Sequence, residues 1–341
     1  MLRRDADKLR SYNSDFLILH YRLGAGLGYR SIAGACNPSG DYLHIIEGNQ
    51  WVQEWPSAST VKERWFFHWP VAGTVRVLNC DWGWYLMELN DAAYRTYWQA
   101  EVLRQLQAND DDGLFLDSIS VPNYLGADRY DPALPAIDAT FEAGWATRIE
   151  DWLAWIQTQP IGKYVILPNA GSWITTRDPT DYSAADGVMI EGFALWGFGD
   201  YFAEEDWRLQ MNRVLELVSR NKILIAQSYG SDVNERLFAT ASYLLIRGRH
   251  TYLNLDIGLE PEWWPEYEVK LLAAQESAGD DIDNLRTSNG VYVRSFEGGF
   301  VAVNPANSGP ALPVALGSGL IGWCSRWAAV RCLPVGRRPG I

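Results

Sequence analysis

Two carboxylates stand where this sequence could do chemistry. Asp117 closes the run Gly113-Leu114-Phe115-Leu116, and Glu191 closes the run Gly187-Val188-Met189-Ile190. Each run is short, apolar and opened by glycine. That is the pattern of a strand covered on both faces in a parallel sheet, where polar alternation is lost. Counted in twos, Gly113 and Phe115 are in phase with Asp117, and Met189 and Phe193 with Glu191. Leu114/Leu116 and Val188/Ile190 then face the opposite side, so both carboxylates project from the same kind of face. A carboxylate at the C-terminal end of such a strand is where α/β barrels and doubly wound sheets keep reactive groups. Such a pair suits glycosidic bond cleavage. One carboxylate, ionised, attacks the sugar carbon or activates water, and the other, protonated, gives its proton to the leaving oxygen. Mutual repulsion and an apolar lining push their two pKa values apart.

The other strand ends supply a second tier of candidates. Asn169 follows Pro168, Gln227 and Tyr229 close the run Ile223–Ala226, Asp256 follows Thr251–Leu255, and His20 and Tyr21 end an early apolar run. With Trp51, Trp82, Trp84 and Trp196 they are the expected substrate-binding residues. The indoles offer flat faces to sugar rings, and the polar groups offer hydrogen bonds to hydroxyls. The plain alternatives are helix caps for the amides, core packing for most of the tryptophans, and a satisfied structural histidine at position 20. The four histidines (20, 44, 68, 250) show no H-x-H or H-E-x-x-H spacing, so no metal site is assigned. The four cysteines (36, 80, 324, 332) show neither metal spacing nor a disulfide framework. Ser118 and Ser228 lack a nucleophile elbow. No glycine-rich phosphate fingerprint follows a strand, and no cofactor is called for.

The elements that must position these residues follow from periodicity. A polar helix over 2–12 and a strand over Phe16–Tyr21 come first. An irregular stretch over 24–84, rich in tryptophan, glycine and proline, reads as loops over the mouth of a barrel. Tyr85–Leu89 is the next strand. Asn90 or Asp91 then caps a helix with Tyr94, Trp98, Val102 and Leu106 at four-residue spacing. The Asp117 strand is followed by a helix with Phe141, Trp145, Ile149, Trp152 and Ile156. Strand Tyr164–Leu167 and the Glu191 strand come next. A helix with Trp207, Met211, Val214 and Val218, strand Ile223–Ala226, a helix through Leu237, Ala241 and Leu244, and strand Thr251–Leu255 complete the series. Alternating strand and helix units mean a parallel sheet with right-handed crossovers, and this many fit a (β/α)₈ TIM barrel. The expected barrel spans 1–284. Its first strand lies upstream of Met1 or is supplied by Leu43–Ile46. A small β appendage spans 285–341, built on a hairpin through Val291–Phe296 and Phe300–Val303. No acidic residue follows Glu297, whereas Arg326, Arg331, Arg337, Arg338 and two of the cysteines do, so about 308–341 reads as an atypical, frame-shifted tail.

Composition narrows the partner. The chain has 341 residues, 48% of them hydrophobic and 21% charged, which is globular usage. Seventeen Trp beside 17 Tyr is high and favours ligands with flat apolar faces. A net charge of −13 with no basic stripe argues against nucleic acid and anionic membrane surfaces. A carbohydrate is the expected partner. No apolar stretch reaches membrane-spanning length, and the N-terminus carries no visible secretory signal.

Asp112-Gly113-Leu114-Phe115-Leu116-Asp117-Ser118, the Trp/Tyr-rich helix before it, Pro168-Asn169 and Gly187–Phe193 resemble the glycoside-hydrolase-like TIM barrels of hypothetical glycosyl hydrolase family 15, over roughly residues 10–305. More distantly they are similar to the endo-α-1,4-polygalactosaminidase-type barrels, which share a D-G-x-x-x-D strand and a later acidic strand end. The resemblance implies a retaining-type pair, with Asp117 as nucleophile or base and Glu191 as acid/base. The polygalactosaminidase-type group carries its acid one strand earlier, where this chain has Asn169, so its mechanism and substrate are not carried over. The resemblance also implies action outside the cytoplasm on polysaccharide. Two rival readings are a carbohydrate-binding barrel without catalysis and a metal-dependent hydrolase using Asp117, Glu191 and Asp256 as oxygen ligands.

Overall fold

Short apolar runs alternate with amphipathic stretches along this chain, and the computed structural model shows them gathered into two compact units. One comprises residues 1–171 and 176–188, the other 172–175 and 189–341. The structure describes residues 3–27, 43–47, 50–54, 62–70, 73, 75–255, 262–269, 271–306, 312–315, 321–324 and 328–332. For 43–54 and beyond 306 it describes the backbone alone.

The first unit holds α1 (Arg3–Tyr12), β1 (Leu19–Leu23), β2 (Gly26–Leu27), β3 (Leu43–Glu47), β4 (Gln50–Glu54), β5 (Leu78–Asn79), β6 (Trp84–Leu86), α2 (Ala92–Asn109), β7 (Gly113–Asp117), β8 (Tyr130–Asp131), α3 (Ala139–Gln157) and β9 (Val165–Pro168). Its centre is the parallel sheet β1-β7-β9. Asp91 caps α2 by accepting from the N–H groups of Ala93 and Tyr94, and Asp138 caps α3 through Thr140 and Phe141. The expected apolar stripes are the buried faces, Tyr94, Trp98, Val102 and Leu106 on α2 and Trp145, Ile149, Trp152 and Ile156 on α3, except that Phe141 at the start of the α3 stripe is half-buried. Trp98 and Trp152 meet edge to face at 4.8 Å. Gly113 is required by packing rather than by its backbone angles. A Cβ there would lie 2.3 Å from the carbonyl oxygen of Val165 on the neighbouring strand.

Three expectations change here. The first strand begins at Leu19 rather than Phe16, and Phe16 and Leu17 are 43% and 52% exposed. Leu43–Ile46 pairs antiparallel with β4. The Tyr85 strand is not a barrel unit. It is β6 of a separate sheet, β2-β6-β5-β8, whose pairs are antiparallel. A tight turn after Asn79, with Gly83 at φ 68°, folds β6 back onto β5, and an apolar run carries no mark of its partner's direction. The cysteines also depart from expectation: Cys80, in that turn, is disulfide-bonded.

The second unit holds β10 (Gly187–Glu191, the division falling after Val188), β11 (Leu195–Gly197), β12 (Asp200–Tyr201), α4 (Glu204–Ser219), β13 (Ile223–Gln227), α5 (Val233–Ile246), β14 (Thr251–Asn254), β15 (Tyr292–Phe296), β16 (Gly299–Val303), β17 (Leu312–Ala315), β18 (Ile321–Cys324) and β19 (Ala328–Cys332). Its central sheet is β10-β13-β14, with β13 and β14 parallel. Trp207, Met211 and Val214 of α4 are buried as expected, while Leu217 takes the place foreseen for Val218. The expected C-terminal hairpin is β15 and β16, joined through Glu297-Gly298, and β19 pairs antiparallel with β16. Of the tail, 307–311, 316–320, 325–327 and 333–341 lie outside the described residues. Arg294 of β15 is buried and donates to the carbonyl oxygens of Leu244 (3.2 Å), Leu245 (2.8 Å) and Arg247 (3.1 Å) around the end of α5, and to that of Glu276 (3.3 Å).

The chain is thus mixed α/β with parallel pairing in each unit. Among the described residues the parallel pairs lie in two three-stranded sheets, and no closed barrel is formed by the ladders.

Candidate active site

In the first unit, β7 buries Leu114 and Leu116 and leaves Phe115 and Asp117 half-buried, which is the predicted phase. Parallel pairing aligns Leu23 of β1 with Asp117, and Tyr21 with Phe115. Tyr21 therefore projects from the same face as Asp117, one step back, and its phenol donates to Asp117 Oδ2 at 2.6 Å. The opposite neighbour, β9, ends one residue before Asn169, whose Nδ2 donates to Asp117 Oδ1 at 2.9 Å. The backbone N–H of Ser118 reaches the same oxygen at 2.8 Å, with Ser118 in the left-handed region at φ 57°. Both carboxylate oxygens are thus held from adjacent strands and from the turn. Donors of this kind stabilise the charged form and fix the direction of its lone pairs.

In the second unit, β10 repeats the pattern: Val188 and Ile190 are buried, Met189 and Glu191 half-buried. Glu191 Oε1 accepts from the phenol of Tyr229 at 2.5 Å. Tyr229 lies two residues past β13, and the N–H of Phe193 donates to the carbonyl of Gln227 (2.7 Å), binding the ends of these two strands. Trp196 lies over the turn after Glu191, its ring 6.1 Å from that of Tyr229. A Cβ at Gly192 (φ 80°) would come within 2.7 Å of the indole, so glycine lets the aromatic close over the carboxylate's turn. The loop then forms the hairpin β11-β12, with left-handed backbone at Ala194, Gly197, Phe198 and Gly199. At its tip Phe198 is 91% exposed. The buried Glu235 secures the loop by accepting from the N–H of Gly199 (2.5 Å) and from the N–H and hydroxyl of Ser231 (2.6 and 2.5 Å). Burial opposes its charge, but these bonds outweigh it and hold its carboxyl below the usual range.

The remaining candidates fall in three groups. Asn169 and Tyr21 meet at Asp117, and Trp196 and Tyr229 meet beside Glu191, each group within its own unit. His20 and Gln227 have structural partners. His20 is 4% exposed, its Nδ1 is 2.9 Å from Asp111 and its Nε2 is 3.0 Å from Gln105. Because β1 runs on to Leu23, His20 is mid-strand and alternation turns it away from Tyr21. Gln227 is 3% exposed, accepts from Asn254 at 2.8 Å and donates to Ser228 at 2.9 Å. Trp84 is buried and Trp82 is 64% exposed. The Trp51 side chain and Asp256 lie outside the described residues. Among the described residues no three His, Cys, Asp or Glu gather as metal ligands. Reasoning from sequence passed over Phe198, which the glycine spacing of Trp196-Gly197-Phe198-Gly199 could have flagged as a tight, aromatic-tipped turn.

No curated protein matches the chain. Among solved structures it is similar to a single-residue variant of the glycoside hydrolase domain of PelA from Pseudomonas aeruginosa. That match has 16% identity, covers 52% of this chain and 66% of that one, and has a TM-score of 0.36. The model of hypothetical glycosyl hydrolase family 15 matches residues 10–300, and the chain belongs to that family.

Proposed function

We propose that the chain hydrolyses O-glycosidic bonds of a poly- or oligosaccharide with Asp117 and Glu191, on a (β/α)₈-type barrel. The observation that carries this reading is the repeated construction at the two strand ends: a half-buried carboxylate, a left-handed residue after it, and a tyrosine hydroxyl donating to it. Family membership supports the reaction class. Three donors on Asp117 favour its ionised form, which suits the nucleophile or base. Glu191 then protonates the leaving glycosidic oxygen and, in a retaining cycle, takes the proton from the water that releases the sugar. Trp196 and Tyr229 offer ring faces beside it. The disulfide at Cys80 supports folding outside the reducing cytoplasm.

The test is product release from a glycan panel by the wild-type chain, Asp117→Asn and Glu191→Gln. Hydrolysis by the wild type and its near-loss in both variants is the expected result; full activity in either variant would remove that residue from the mechanism. Glycan capture without product would replace catalysis by binding. A crystallographic carboxyl separation of about 5–5.5 Å would mean retention, and about 6.5–9.5 Å inversion.

A further inference from the structure

A cleft in the first unit is lined by Ser118, the residue after Asp117, and by residues of the Asn79–Trp84 turn. Its walls include Asn79, Asp81, Trp82, Ser120 and Arg129. The turn is rigidly built. Asn79 pairs with Tyr130 across β5 and β8, Cys80 N–H donates to the carbonyl of Arg129 at 2.8 Å, and Asn79 Oδ1 accepts from Trp82 N–H at 3.0 Å. The disulfide at Cys80 fixes the same segment. On this frame the Trp82 indole is 64% exposed at the lip. Beside it Asp81 and Arg129 form an ion pair at 3.2 Å, with side chains 45% and 56% exposed. An exposed pair of this kind adds little to stability, so folding does not explain its place.

We propose that this cleft is a sugar subsite continuous with the Asp117 end, taking an uncharged pyranose ring of the glycan that is cleaved. The ring's C–H face stacks on Trp82. Two neighbouring hydroxyls bridge the ion pair, one donating to the Asp81 carboxylate and the other accepting from the Arg129 guanidinium. Because the two side chains neutralise each other, a carboxylated or aminated sugar would have to separate them, whereas a diol satisfies both. This inference rests on the hydrolytic reading of Asp117, yet binding tests it apart from turnover.

The experiment measures binding of the full chain carrying Asp117→Asn to cellohexaose, maltohexaose, mannohexaose and N-acetylchitohexaose, with chitosan hexaose and hexagalacturonate as charged counterparts. At least one neutral hexaose is expected to bind. Adding Trp82→Ala or Arg129→Gln should weaken that binding roughly tenfold or more. Tyr12→Ala, at the exposed end of α1, should leave it unchanged. Unaltered binding in both cleft variants, binding of the charged hexaoses alone, or no binding of any hexaose would overturn the subsite. Cleavage by Asp117→Asn would instead overturn the catalytic reading, and a binding loss on Trp82→Ala would still stand.

Discussion

Strands β7 and β10 each run from glycine through three apolar residues to a carboxylate, and they bury those residues in the same order. Each is followed by a left-handed residue, Ser118 or Gly192. Their surroundings differ. Asp117 accepts on both oxygens from β1, from the residue after β9 and from the turn, while Glu191 Oε1 accepts from Tyr229, beyond β13 and beneath an aromatic hairpin. One backbone device thus presents two carboxylates, each to its own set of neighbours.

The comparison breaks first at the carboxylates. Asp117→Asn and Glu191→Gln should each lower kcat on the order of a thousandfold, measured as initial rates of reducing-end release. A strand-specific loss comes next. Gly113→Ala drives a methyl group against the Val165 carbonyl and should cost about 1–3 kcal/mol in denaturant titrations. The tyrosines sharpen the roles. Tyr21→Phe removes the phenol that holds Asp117 Oδ2 and should lower kcat/KM roughly tenfold. Tyr229→Phe removes the phenol on Glu191 Oε1 and should lower kcat/KM by a similar factor. Unchanged kcat/KM in either variant would remove that phenol from the site.

The smallest effect concerns the hairpin. Glu235 has its carboxyl held below the ordinary value in the folded state, so its contribution is complete above the unfolded pKa of about 4.3 and is lost as pH falls through the lower folded value. Fluorescence of Trp196 should report loosening of the loop in that acid range alone, and Glu235→Gln should show no such transition.

Much of this architecture was legible in the sequence because it rests on local signals. Asp91 and Asp138 stand where caps belong, and tryptophans at helical spacing mark the faces of α2 and α3. The phase of Asp117 and Glu191 follows from a period of two. What could not be read depends on partners distant in sequence. His20 looks like a strand-end ligand until the pairing of Leu23 with Asp117 extends β1 by two residues and makes it interior. The antiparallel partners of β6 leave no trace in its own composition. Tyr21 and Tyr229 were legible as polar aromatics at strand ends, but their bonds to the carboxylates depend on register between strands.

The reach of Arg294 has a consequence for how this gene could be cut. Three carbonyls around the end of α5 take their donors from a strand nearly fifty residues downstream. A recombination joint near residue 284, tempting because the periodicity changes there, would pass on a helix with an uncapped end and leave behind a guanidinium with nothing to bind. Helix and hairpin must be inherited together.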